Sequence, residues 1–156
     1  MTHADRHPIS FSLPRPTVTP DDAARVAADL WGLAPTRIVE LGSNQDRNFR
    51  IDTASGRFVL KFSNPGIAPR QLADQNTALA ALQPLHTEGI AAPTVRPTLD
   101  GDDIATVRVG DTDLPVRLVS WVDGVPLAEL RPTETAARSL GRTAALVTRT
   151  LAALPA

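Results

Sequence analysis

Cysteine is absent from this 156-residue chain. That excludes disulfides, thiolate metal sites and a cysteine nucleophile together, and it fits a reducing cytoplasm. An excess of either charge is also lacking, since 16 basic residues stand against 17 acidic ones. Such a balance supplies no field for nucleic acid or an anionic membrane surface. The stretch from Met1 to Pro20 is polar and interrupted by proline, with no apolar run of the length a signal segment or a membrane span requires. The expected location is the cytoplasm. Lysine is nearly missing as well: 15 of the 16 basic residues are arginine and only Lys61 is lysine. An ammonium is compact and a guanidinium is a wide planar fork, so a lone lysine in an arginine-using chain marks a candidate for a size-restricted role. Chance sampling in an arginine-heavy composition is the competing reading.

With 42% apolar residues the chain can bury one core, so a single compact domain is expected. Thr19-Pro20-Asp21-Asp22 carries the signals of a helix start: a cap, proline in the first turn, and acids where the helix dipole favours them. Ala23, Val26, Ala27, Leu30 and Trp31 follow at helical spacing, and Gly32 offers the stop. The period then changes. Arg37–Ser43, Asn48–Asp52 and Arg57–Phe62 alternate as strands do, with Ala54-Ser55-Gly56 as a hairpin turn. In the third strand Phe58, Leu60 and Phe62 share one face, while Val59 and Lys61 share the other.

Leu72, Asn76, Leu79 and Leu82 predict a second helix ending before Pro84, followed by a loop at 86–92. Further strands are predicted at Thr94–Thr98, Ile104–Val109 and Leu114–Val122, with Pro115 at the entry of the last. Thr133 could cap a final helix whose stripe of Ala136, Leu140, Ala144, Val147, Leu151 and Leu154 must pack on something, most commonly its own sheet. The hairpin connections suit an antiparallel sheet of about five or six strands, and the layout is α+β.

A hairpin, then a third strand ending in lysine, then a helix is the arrangement that covers ATP phosphates in kinase N-lobes. Ser43-Asn44-Gln45-Asp46-Arg47-Asn48-Phe49 matches a Ser-x-x-Asp-x-Asn-Phe pattern, and Phe58-Val59-Leu60-Lys61 follows it. Gln75-Asn76, Gly89-Ile90 before Ala92-Pro93, and Leu118 to Gly124 come next in order. Together these pieces, spanning roughly 36–126, resemble the N-terminal lobe of the aminoglycoside phosphotransferase superfamily, in particular its hydroxylysine-kinase-like members. Residues 1–18, which hold Pro8, Pro14 and Pro16 and show no helical or strand periodicity, read as a flexible leader; the resemblance implies a nucleotide-binding lobe over 19–126, and a linker and helix over 127–156 leading to a second lobe beyond Ala156.

It also implies roles. Lys61 would hold the α- and β-phosphates of ATP, Val59 would line the adenine slot, and Ser43 and Asn44 would approach the phosphates from the hairpin tip. The Ser120 carbonyl and the Val122 N–H would pair with the adenine edge. Gln75 stands where most kinases carry the glutamate that orients the lysine, with Asp74 as its rival. Gly42 is the hairpin's single glycine, which argues against a protein kinase.

The chain has no His-x-Asp followed at the right spacing by asparagine, and its last asparagine is Asn76. No catalytic residue is therefore assigned within it, and the magnesium ligands are expected in the absent lobe. The implied full enzyme transfers the γ-phosphoryl of ATP to a hydroxyl of a small amino-bearing or aminoglycoside-like molecule. The rival is a non-catalytic interaction module that keeps the lobe fold, one setting being fusion to an aminotransferase-like domain.

Asp100, Asp102 and Asp103 lack the spacing of a calcium loop. His3, His7 and His86 have no partners at metal-ligand spacing and read as surface residues. No metal site is assigned, and the interleaved arginines form no basic cluster for nucleic acid.

Overall fold

Thr19 opens the first helix by a reciprocal arrangement. Its hydroxyl accepts from the Asp22 N–H at 3.1 Å, and the Asp22 carboxylate accepts from the Thr19 N–H at 3.0 Å. The Thr19 hydroxyl and N–H hold the Asp22 carboxyl below the ordinary aspartate range. This stabilisation is complete above that range and is lost as pH falls through the lowered value. The computed structural model describes residues 15–131 and 133–155, and in it α1 runs over Pro20–Trp31. Gly32, at φ 61°, closes the helix in the left-handed conformation that a side chain would disfavour.

Three strands follow, β1 (Pro35–Leu41), β2 (Arg47–Thr53) and β3 (Gly56–Phe62), joined by hairpins. Then come α2 (Pro69–Leu82), a 3-10 turn over Gln83–Glu88, β4 (Val95–Arg96), β5 (Ala105–Val109), β6 (Thr112–Ser120) and α3 (Glu134–Ala152). All pairings are antiparallel in a six-stranded sheet of order β1-β2-β3-β6-β4, with β5 also on β6. β4 lies opposite Leu118–Val119 and β5 opposite Thr112–Val116, so the two share one edge of β6. The α+β layout and the strand number match the sequence reading.

Alternation assigns the core. Phe49 and Ile51 from β2, Phe58, Leu60 and Phe62 from β3, and Leu114, Val116 and Leu118 from β6 are buried in one cluster with Ala23, Val26, Ala27 and Trp31 of α1. Phe49 and Phe62 meet edge to face at 6.0 Å between ring centres. Each fully buried side chain of this size contributes about 1.5–3 kcal/mol. Trp31 is in the core, and its ring N–H donates to the Arg96 carbonyl at 2.9 Å.

Four expectations change in the structure. The strand expected at Thr94–Thr98 is only two residues long, because Pro93 and Pro97 flank it and neither can donate to a ladder. Pro115 lies inside β6 rather than at its entry, one residue past the end of the β3 pairing. The loop expected at 86–92 begins instead inside the 3-10 turn over Gln83–Glu88. The stripe of α3 does not cover the sheet. No α3 residue is buried, and the helix lies beside α2, with Arg142 donating to Glu88 at 2.7 Å.

Most of the leader, residues 1–14 with His3 and His7, lies outside the described residues. Its last part is attached to the lobe. Val18 is in the core and the Pro16 carbonyl accepts from Arg47 at 3.1 Å.

Phe49→Ala is expected to cost about 3–5 kcal/mol, as loss of a fully buried ring does, and Thr19→Ala about 0.5–2 kcal/mol, the worth of a helix cap. Urea unfolding followed by circular dichroism checks both.

Candidate nucleotide site

The same alternation that places the phenylalanines in the core turns Lys61 to the other side of the sheet. Register puts Asn48 opposite Lys61 and Lys61 opposite Arg117, so the three form one row across β2, β3 and β6. Lys61 Nζ donates to Asn48 Oδ1 at 3.1 Å. Arg117 is only 4% exposed and reaches α2 instead. Its guanidinium donates to Asn76 Oδ1 at 2.8 Å, to Gln75 Oε1, and at 3.5 Å to the Leu72 carbonyl.

Burial pushes the Lys61 ammonium below the ordinary lysine range; the charge of Asp46 opposes that shift and the charge of Arg117 adds to it. Burial also lowers Arg117, again opposed by Asp46, but a guanidinium stays protonated in proteins. Asp46 sits in the loop between β1 and β2. Its carboxylate accepts from the Asn64 N–H at 3.1 Å, which ties that loop to the turn after β3. The Asp46 N–H donates to Ser43 Oγ at 3.3 Å.

Between this face and α2 lies a cavity of about 530 Å³. Val59, Lys61, Gln75, Ser120 and Val122 line it, joined by Leu79, Arg117, Val119 and Trp121. Five of the seven residues singled out from sequence thus share one space. Ser43 and Asn44 do not line it. They stand in the loop beyond Leu41 and Asn48, which pair at the Lys61 end of the hairpin.

At the rim the Ser120 N–H donates to the Thr94 carbonyl at 2.8 Å and the Trp121 N–H to the Arg57 carbonyl at 3.0 Å. The Val122 N–H has no partner among the described residues. Asp123 fixes the segment after β6 by accepting from Arg57 at 2.5 Å and from the Trp121 ring N–H at 3.1 Å. Arg50 stacks over Trp121 at 5.4 Å from the ring centre. Trp121 is thus a half-buried wall of the cavity.

The helix partner expected for Lys61 is corrected by this geometry. Gln75 accepts from Arg117, and Asp74 is exposed, 3.9 Å from Arg70. Arg117 was missed in the sequence, although its signal was there. Leu114, Val116 and Leu118 mark one face of β6, which leaves Arg117 and Val119 on the face of Lys61.

A half-buried lysine on the third strand, facing a helix across a cleft closed by the segment after β6, is the layout of a kinase N-lobe. Residues 37–156 match the phosphotransferase enzyme family APH. The chain belongs to that family. As an APH-family domain of the small-molecule-kinase kind, it is 25% identical over 151 residues to mouse hydroxylysine kinase, covering 88% of this chain and 39% of that protein. It is 28% identical over 126 residues to the zebrafish hydroxylysine kinase, covering 74% of this chain and 34% of that one. The chain therefore spans well under half the length of these relatives.

Among solved structures the APH lobe superposes on a microcompartment-associated aminopropanol kinase with TM-score 0.59 at 22% identity, covering 77% of this chain and 37% of that one. An amicoumacin kinase in complex with AMP-PNP, Ca2+ and Ami follows at TM-score 0.54 and 14% identity, covering 72% and 34%. These structural likenesses concern the fold. No helix among the described residues is long and apolar enough to cross a membrane.

With one lysine in the chain, selective labelling at Lys61 Cε gives a single side-chain NMR signal. It is expected to titrate below the ordinary lysine range, and lower still in Asp46→Asn, which removes the opposing charge. Because the unfolded chain then binds the extra proton, unfolding free energy should rise as pH climbs from the lowered value toward the ordinary one.

Proposed function

We propose that this chain is the ATP-binding N-terminal lobe of a kinase that phosphorylates a hydroxyl of a small, amino-bearing metabolite in the cytoplasm. The observation that carries the reading is the placement of the chain's lone lysine on the floor of the cavity between the sheet and α2. The cavity suits a nucleotide. Its volume of about 530 Å³ falls within the ~300–1,000 Å³ of small-molecule sites, Val59 and Val119 give it apolar walls, and two cations stand at its floor.

ATP, when bound, supplies the phosphoryl group to be transferred. The work of this chain is to bind and orient it. Lys61 offsets charge on the α- and β-phosphates, and Ser43 and Asn44 approach them from the β1–β2 loop. Val59 and Val119 flank the base. The Ser120 carbonyl and the unpaired Val122 N–H meet its polar edge. Gln75, bound to Arg117, serves the cavity as part of its α2 wall.

Magnesium is expected to accompany ATP. Among the described residues no three His, Cys, Asp or Glu side chains stand close enough to hold a metal ion. Its ligands, and the aspartate that would take the acceptor's proton, are assigned to the part of the relatives this chain does not span. The amino-bearing acceptor is supported by the likeness to hydroxylysine kinases.

An amide NMR titration with Mg-ATP is expected to give fast-exchange shifts confined to residues 43–48, 59–61 and 120–123. Lys61→Ala should weaken binding by about tenfold or more, ~1.4 kcal/mol, erasing the shifts at 43–48 and keeping those at 120–123. A folded sample that shows no shifts at millimolar nucleotide would favour the non-catalytic interaction module.

A further inference from the structure

Most kinases hold the helix after the third strand by an ion pair from the strand lysine to a glutamate on that helix. Here α2 offers no carboxylate to the cleft: Asp74 is turned out to solvent beside Arg70. The helix is also poorly anchored by its own residues. At its start the N-cap, Ala68, has no side chain to meet the first-turn N–H groups, although Gln71 Oε1 accepts from the Ala68 N–H at 3.3 Å, and Leu72 is its only buried apolar side chain.

What reaches it from the sheet is Arg117, whose fork meets the side-chain oxygens of Gln75 and Asn76 and, one turn back, the Leu72 carbonyl. A planar guanidinium can satisfy several acceptors at once, and an ammonium in its place cannot hold that geometry. We propose that Arg117 is the positioning residue of this cleft. It docks α2 in the role a lysine–carboxylate pair has elsewhere, and it leaves Lys61 uncompensated by the helix and available to an anion.

The arrangement of charge supports this. Like charges directly opposite each other in a ladder repel, yet Lys61 and Arg117 are such a pair. Each is turned to a different neutral partner, Lys61 to Asn48 on β2 and Arg117 to Gln75 and Asn76 on α2. Among the described residues no carboxylate is bonded to either, so the floor of the cavity keeps two positive charges with Asp46 as the acidic charge that acts on both. Arg117 Nε has no partner among the described residues, which leaves its two terminal nitrogens to make the tether.

The far end of α2 is held separately, since Gln83 donates to the Pro93 carbonyl at 3.0 Å and accepts from Thr94 at 3.0 Å. Loss of Arg117 should therefore loosen the helix locally, around residues 72–79.

That Arg117 serves nucleotide binding rests on the proposed function; that it docks α2 does not. Hydrogen exchange of the whole chain, without nucleotide, separates the two. Arg117→Met is expected to raise exchange at residues 72–79 about tenfold or more relative to the β2 and β3 amides, and Lys61→Met to leave that ratio unchanged. Gln75→Ala, at an exposed position that spares the core, should raise it in the same direction and keeps the test usable if Arg117→Met does not fold. The Lys61 Cε titration should move up in Arg117→Met and stay low in Arg117→Lys, which keeps the charge but not the fork.

Arg117→Met should also weaken Mg-ATP about tenfold. If Lys61→Met loosens α2 and Gln75→Ala does not, or if neither Arg117→Met nor Gln75→Ala changes the ratio, the tether is wrong. If wild-type chain binds no nucleotide while the exchange pattern holds, the tether stands and the nucleotide reading falls.

Discussion

Two positive charges lie side by side on one face of a sheet whose other face packs the apolar core, and much of the lobe is arranged around that constraint. Neither Lys61 nor Arg117 can turn toward the core, where Phe49, Leu60 and Leu118 are fully buried. Desolvated cations without hydrogen bonds are costly, so each takes a side-chain amide: Lys61 that of Asn48, and Arg117 those of Gln75 and Asn76. Neutral amides accept hydrogen bonds but add no counter-charge. The net positive potential of the cleft is thereby retained.

Asp46 moderates this potential without cancelling it. It stands in the β1–β2 loop, fastened to the Asn64 N–H, and acts on both cations through space. The loop that carries Ser43 and Asn44 is therefore tied by its own carboxylate to the turn that follows the lysine strand. Sheet, loop and α2 meet at one cluster of four strand and loop residues, Asp46, Asn48, Lys61 and Arg117, and the two α2 amides.

Much of this was legible in the sequence because strand alternation is a strict period. Phe58, Leu60 and Phe62 against Val59 and Lys61 could be divided between core and cleft from spacing alone, and Thr19, Pro20 and Gly32 bracketed α1. What was not legible depended on contacts between distant segments. Gln75 lies fourteen positions from Lys61 and forty-two from Arg117, and nothing local says which cation it meets. The α3 stripe has the right period for burial, but period does not say against what, and the helix lies beside α2 with its residues only partly covered. Strand β4 was overestimated because its flanking prolines stop a ladder that its side-chain pattern would otherwise permit.

The lone lysine has a chemical consequence apart from binding. Lys61 is the chain's one side-chain amine, and its lowered pKa leaves more of it in the neutral, nucleophilic form near physiological pH than an ordinary surface lysine would have. Acylating or carbamylating reagents that enter the cavity would find one side-chain target, at the floor of the cleft. Covalent damage of that kind, which most proteins spread over many surface lysines, would among the side chains of this protein fall on one position that faces α2.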